Sequence, residues 1–106
     1  MQRYPVRATH RANLVPATLA RLAEESFGSA SVDGESVVIQ YGAIERLTVR
    51  GDRRELAVDV QMQPKVPNEV AAETIARYNR FLASATGYSA KERARRLRKS
   101  AAGAGD

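Results

Sequence analysis

The stretch Ile44–Gln63, IERLTVRGDRRELAVDVQMQ, decides the fold of this 106-residue chain. Its second arm is the plainest reading in the sequence. Leu56, Val58, Val60 and Met62 alternate with Ala57, Asp59, Gln61 and Gln63, the period-two pattern of a strand with one apolar face. Leu47 and Val49 repeat that pattern in the first arm, and Gly51-Asp52-Arg53-Arg54 reads as the loop between the two. Closing the hairpin over this loop sets Val49 opposite Leu56, Leu47 opposite Val58, Arg50 opposite Glu55 and Arg46 opposite Asp59. Apolar pairs then share one face and opposite charges the other.

Working backwards, Asp33-Gly34 is a tight-turn signal between Ser29–Val32 and Glu35–Tyr41, and Tyr41-Gly42-Ala43 is a second turn leading into Ile44. Ahead of these, Val15, Leu19, Leu22, Ala23 and Phe27 recur at helical spacing, with Asn13 as the expected cap, Pro16 in the first turn and Gly28 as the stop. Tyr4, Val6 and Ala8 alternate with Arg3, Pro5, Arg7 and Thr9 as a first strand, which Pro5 should place at a sheet edge or give an irregular start.

Working forwards, Pro64-Lys65-Val66-Pro67 ends the strand pattern. Asn68 is the expected cap of a long helix to about Ala85, whose buried stripe would comprise Ala71, Ile75, Tyr78, Phe81, Leu82 and Ala85. Thr86-Gly87 stops it. Ser89-Ala90-Lys91-Glu92 then has the form of a capping box opening a last helix, with Ala90, Ala94, Leu97 and Ala101 as its apolar stripe and a frayed end after it.

The order is therefore β-α-β-β-β-β-α-α, an α+β fold. A single antiparallel sheet of about five strands would carry its helices on one face. In topology this resembles one repeat of the TATA-binding-protein-like fold, which says nothing about activity. The expected division is a compact domain over 1–88 followed by a basic helix and tail over 89–106.

Composition narrows the function classes. At 43% hydrophobic and 27% charged residues the chain is ordinarily globular. It has no apolar run long enough to span a bilayer, and Met1-Gln2-Arg3-Tyr4-Pro5 lacks the apolar core expected of a signal peptide. The absence of cysteine excludes disulfides and thiolate chemistry and fits a cytoplasmic protein. His10 is the single histidine, so no nitrogen-rich metal site can form, and no cofactor is expected. The carboxylates Glu24, Glu25, Glu69 and Glu73 fall on helix surfaces, with Glu73 and Arg77 spaced as an ion pair. The chain is expected to be no enzyme.

The net charge of +5 is unevenly spread. Residues 1–88 hold 11 Lys/Arg against 10 Asp/Glu, and residues 89–106 hold 6 against 2. Lys91, Arg93, Arg95, Arg96, Arg98 and Lys99 are accordingly the candidate contacts to nucleic-acid phosphates. An acidic protein is another partner this charge would suit. The alternative function is a homo-oligomeric structural or protein-interaction domain, a homodimer whose tail only confers solubility. The outward sheet positions Arg3, Arg7, Thr9, Gln40, Arg46, Thr48, Arg50, Glu55, Asp59 and Gln61 are mixed in charge and lack aromatic or wedge residues, which argues against base stacking there.

The run Ala85-Thr86-Gly87-Tyr88-Ser89-Ala90-Lys91-Glu92-Arg93, with Gln40-Tyr41-Gly42-Ala43-Ile44 before it, resembles a family of small uncharacterised archaeal proteins of about this length with a basic end. The resemblance extends over nearly the whole chain, and its specificity lies in that one run. It implies a shared fold and an archaeal, cytoplasmic origin. It brings no activity and no functional residues.

Overall fold

A computed structural model describes residues 2–96. Five strands, β1 (Gln2–Pro5), β2 (Ser31–Asp33), β3 (Ser36–Tyr41), β4 (Ile44–Asp52) and β5 (Glu55–Met62), form one antiparallel sheet in the order β1-β5-β4-β3-β2. Helix α1 (Pro16–Phe27) follows β1, and α2 (Asn68–Thr86) follows β5. Residues 90–96 open a third helix, α3. The expected order of elements is the observed one.

The core forms where the helices meet the sheet. Val37, Ile39, Leu47, Val49, Leu56 and Val58 pack against Leu19, Ala23, Phe27, Phe81, Leu82 and Ala85. Phe27 sits 5.6 Å from the Tyr41 ring and 5.8 Å from Phe81, joining β3, α1 and α2.

The β4–β5 hairpin departs from the expected register by two residues. Val49 faces Val58, Leu47 faces Val60, and Asp52 faces Glu55. The strands run on through Gly51 and Asp52, and the turn uses only Arg53 and Arg54, with Arg53 at a left-handed φ of 61°. Because the slip is even, every side chain keeps its face. The charge pairs do not survive it: Arg50 lies opposite Ala57 and Arg46 opposite Gln61, while Asp52 is neutralised by Arg3 at 3.0 Å. Gly51 lets the strand continue. A Cβ there would fall on the Leu14 carbonyl oxygen, so the chain entering α1 lies directly on the glycine.

Other boundaries also move. β1 ends at Pro5, and Ala8–Asn13 form a short 3-10 helix in place of more strand. Arg7 N–H bonds to the Thr86 carbonyl (2.8 Å), drawing the chain off the sheet toward the end of α2. Asn13 does not cap α1. It donates to the Ser84 carbonyl instead, and Val15, which is exposed, takes the cap position. Asn68 is the first residue of α2 and Pro67 its cap. Gly28 and Gly87 end α1 and α2 with φ of 92° and 80°, the left-handed stop expected of glycine.

Candidate interaction surfaces

The capping box forms. Ser89 N–H donates to Glu92 Oε1 (3.1 Å), and Glu92 N–H donates to Ser89 Oγ (3.2 Å). Glu92 also meets the Arg7 guanidinium at 3.4 Å. The hydrogen bond from the Ser89 backbone, then that from its hydroxyl, hold the Glu92 carboxyl below its ordinary range against the opposing effect of burial, and Arg7 and Arg95 add to the lowering.

The described part of this helix docks by a charged residue and not by Ala90 or Ala94. Ala90 and Ala94 are exposed, while Arg93 is only 3% exposed. Its guanidinium donates to the Tyr88 carbonyl (2.6 Å) and to Asn79 Oδ1 (3.1 Å), beneath the Tyr4 ring. Burial lowers its pKa, and Tyr4 and Tyr78 oppose that shift. Burial, followed by the neighbouring Tyr4, raises the pKa of Tyr78. Arg93 is thus the internal bolt of the α2–α3 corner and is not open to a phosphate.

The remaining cations of the expected set divide. Arg96 lies over the Tyr88 ring at 4.2 Å, and Arg7 lies over the same ring at 4.5 Å. Lys91, Arg95 and Arg96 itself are exposed. Arg98 and Lys99, with the apolar positions Leu97 and Ala101 and the expected frayed end, lie outside the described residues. His10 belongs to this corner as packing: a Cβ on Gly87 would strike its ring, and its Nδ1 is 2.9 Å from Thr9 Oγ1.

On the helix-free face of the sheet, Arg46, Thr48, Asp59 and Gln61 line a shallow polar concavity of about 280 Å³. Both charges and both neutral polar groups belong to one hairpin. This face is as mixed as its sequence suggests.

A third surface was not legible as a site. Ile44, Val60, Met62, Thr74, Ile75, Tyr78 and Asn79 line a groove of about 280 Å³ between α2 and the far end of β5. Thr74 fixes its wall: the hydroxyl donates to the Val70 carbonyl (2.7 Å) and accepts from Ala43 N–H (3.0 Å), pinning α2 to the β3–β4 turn. The large apolar side chains exposed among the described residues are Val15, Val32, Val60, Met62 and Ile75, and the last three gather here. Ile75 had been expected in the buried stripe of α2, yet it is 50% exposed, because β5 ends beneath it. Only the structure shows the lengths: the described β1 has four residues beside the eight of β5, whereas Tyr4, Val6 and Ala8 read as a longer strand in the sequence.

Residues 1–99 match the family described as a domain of unknown function, DUF5611. The chain belongs to the DUF5611 family. Among solved structures, it is similar to the NMR solution structure of a hypothetical protein from Thermoplasma acidophilum, with 26% identity, a TM-score of 0.68, and coverage of 92% of this chain and 97% of that one. No curated protein matches. The expectation of a small uncharacterised archaeal family therefore stands, since this DUF5611 chain shares its fold with an archaeal protein. No described helix is long and apolar enough to cross a membrane.

Proposed function

We propose that this DUF5611 protein is a non-enzymatic, cytoplasmic interaction module that binds a protein partner through the apolar groove between α2 and the end of β5. One observation carries the reading. Three large apolar side chains, Val60 (37% exposed), Met62 (43%) and Ile75 (50%), converge on one groove. Single exposed hydrophobics are ordinary on protein surfaces, whereas a contiguous cluster in a concave site marks a place of contact. Nucleic-acid or acidic-protein contact through α3 is the weaker reading. With Arg93 buried, Lys91, Arg95 and the Tyr88-stacked Arg96 are the cations that the described part of that helix leaves facing solvent.

A photo-reactive amino acid placed at position 75 of the full chain in living cells tests the reading. The control is the same group at Glu25, exposed on α1. Cross-links from position 75 and none from position 25 are expected. If position 75 yields only the uncross-linked chain, the groove is not an interaction surface.

A further inference from the structure

We propose that the occupant of this groove is a second copy of the chain, joined by antiparallel pairing of β5 with β5′ about a two-fold axis at Gln61. The proposal rests on the groove being an interaction surface, and it adds the partner and the register.

The free edge of β5 is the starting point. On one side the strand is bonded to β4 throughout, with Thr48 opposite Asp59, Leu47 opposite Val60, Arg46 opposite Gln61 and Ile44 opposite Met62. On the other side β1 reaches only to Val58, which faces Gln2. From Asp59 to Met62 no described strand covers that edge, so its outward N–H and C=O groups form a template for another strand. The usual protections are missing from these residues: they include no proline or lysine, and Asp59 is their single charge. Pro64 and Lys65 come only afterwards.

The permitted register is narrow. An axis at Gln61 sets Val60 opposite Met62′, Met62 opposite Val60′ and Asp59 opposite Gln63′. An axis at Val60 would bring Met62′ against Val58, whose edge β1 already occupies. An axis at Met62 would bring Pro64′, which has no N–H to donate, against Val60. The Gln61 axis gives the longest pairing that displaces no described strand.

Side-chain chemistry agrees with it. Val60 and Met62 lie on the helix-covered side, the side of the groove. Pairing makes them one apolar floor shared by both copies, walled by Ile75 and Tyr78 from each. On the opposite side no like charges meet across the axis, because Asp59 faces a neutral glutamine. The contact is self-complementary, as a two-fold interface requires, and it joins the two five-stranded sheets edge to edge.

The test is a charge swap at the axis in the full chain. Gln61 is exposed, so Gln61→Lys and Gln61→Glu leave the fold intact. Sedimentation equilibrium should show wild-type dimers, with each variant alone about fivefold weaker because like charges then oppose directly. An equimolar mixture should recover wild-type affinity or better as a heterodimer. A wild-type chain that stays monomeric at millimolar concentration overturns the proposal. So does a dimer that neither variant weakens, or that the mixture fails to restore. A wild-type monomer whose position-75 cross-links join it to a different protein also overturns it, while leaving the groove an interaction surface. Cross-links confined to residues 97–106 of the same chain would overturn both.

Discussion

The two halves of α2 carry similar apolar spacing and have opposite fates. In the second half Phe81, Leu82, Ala85 and Thr86 are buried, and the polar groups around them are bonded: Thr86 Oγ1 donates to the Leu82 carbonyl (2.6 Å) and accepts from Tyr88 N–H (3.2 Å). In the first half Thr74 alone is buried, and Ile75 stands half in solvent. Helix propensity and amphipathicity do not separate them. What differs is the layer opposite, since the second half shares the core with α1 and the middle of the sheet, and the first half overhangs the end of β5. A helical stripe therefore states which side a residue is on, not whether anything waits there.

The sharpest way to break this comparison is to empty one position in each half. Phe81→Ala should cost about 3–5 kcal/mol, the usual result of removing a fully buried aromatic ring. Ile75→Gln, measured by urea unfolding at protein concentrations low enough to keep the chain monomeric, should change stability by no more than about 0.5 kcal/mol. Comparable losses at the two positions would mean that the first half of α2 is covered in solution, and the contrast would be false.

Arg93 sharpens the same comparison from the closed side. Arg93→Met keeps much of the volume but leaves the Tyr88 carbonyl and Asn79 Oδ1 without their donor. A loss of about 2–3 kcal/mol is expected in chemical unfolding, in line with charge-assisted hydrogen bonds and the exposure of an unpaired buried acceptor. Amides of residues 90–96 should lose hydrogen-exchange protection before the rest of the chain. If that protection survives, Arg93 is not what holds α3 against α2.

The sheet was readable because its signals are local. Alternation in Leu56–Met62, Asp33-Gly34 and the glycine stops at 28 and 87 each act within a few residues, and they set element order and faces. The hairpin register required knowing that Leu14 packs on Gly51, a contact between residues 37 positions apart, so a four-residue loop looked as good as a two-residue turn. Arg93 misled for a related reason. In a run of arginines nothing marks the one that faces Asn79 and Tyr4, because beside the nearby Tyr88 carbonyl its partners are an amide on α2 and a ring on β1. The groove was hidden in the same way: Val60, Met62 and Ile75 looked like core until the length of β1 was known.

The mildest expected effect concerns the capping box that starts α3. Ser89→Ala removes the hydroxyl that accepts from Glu92 N–H, and should cost about 1 kcal/mol, the ordinary loss of a serine cap. It should also change the pH dependence. In the folded chain Glu92 titrates below its ordinary value of 4.5, chiefly through the Ser89 N–H and then the hydroxyl. A carboxylate whose pKa falls on folding stabilises the fold above its unfolded pKa, and that contribution disappears as pH drops through the lower folded value. α3 should accordingly be fully docked at neutral pH and loosen below about pH 4.5. In Ser89→Ala the Glu92 side-chain carbon, followed by NMR, should titrate closer to 4.5 and the acid loosening should shrink, though the backbone N–H at position 89 keeps part of it. An unchanged titration would mean the box is not closed in solution. Arg93 would then hold α3 against α2 without help from the cap.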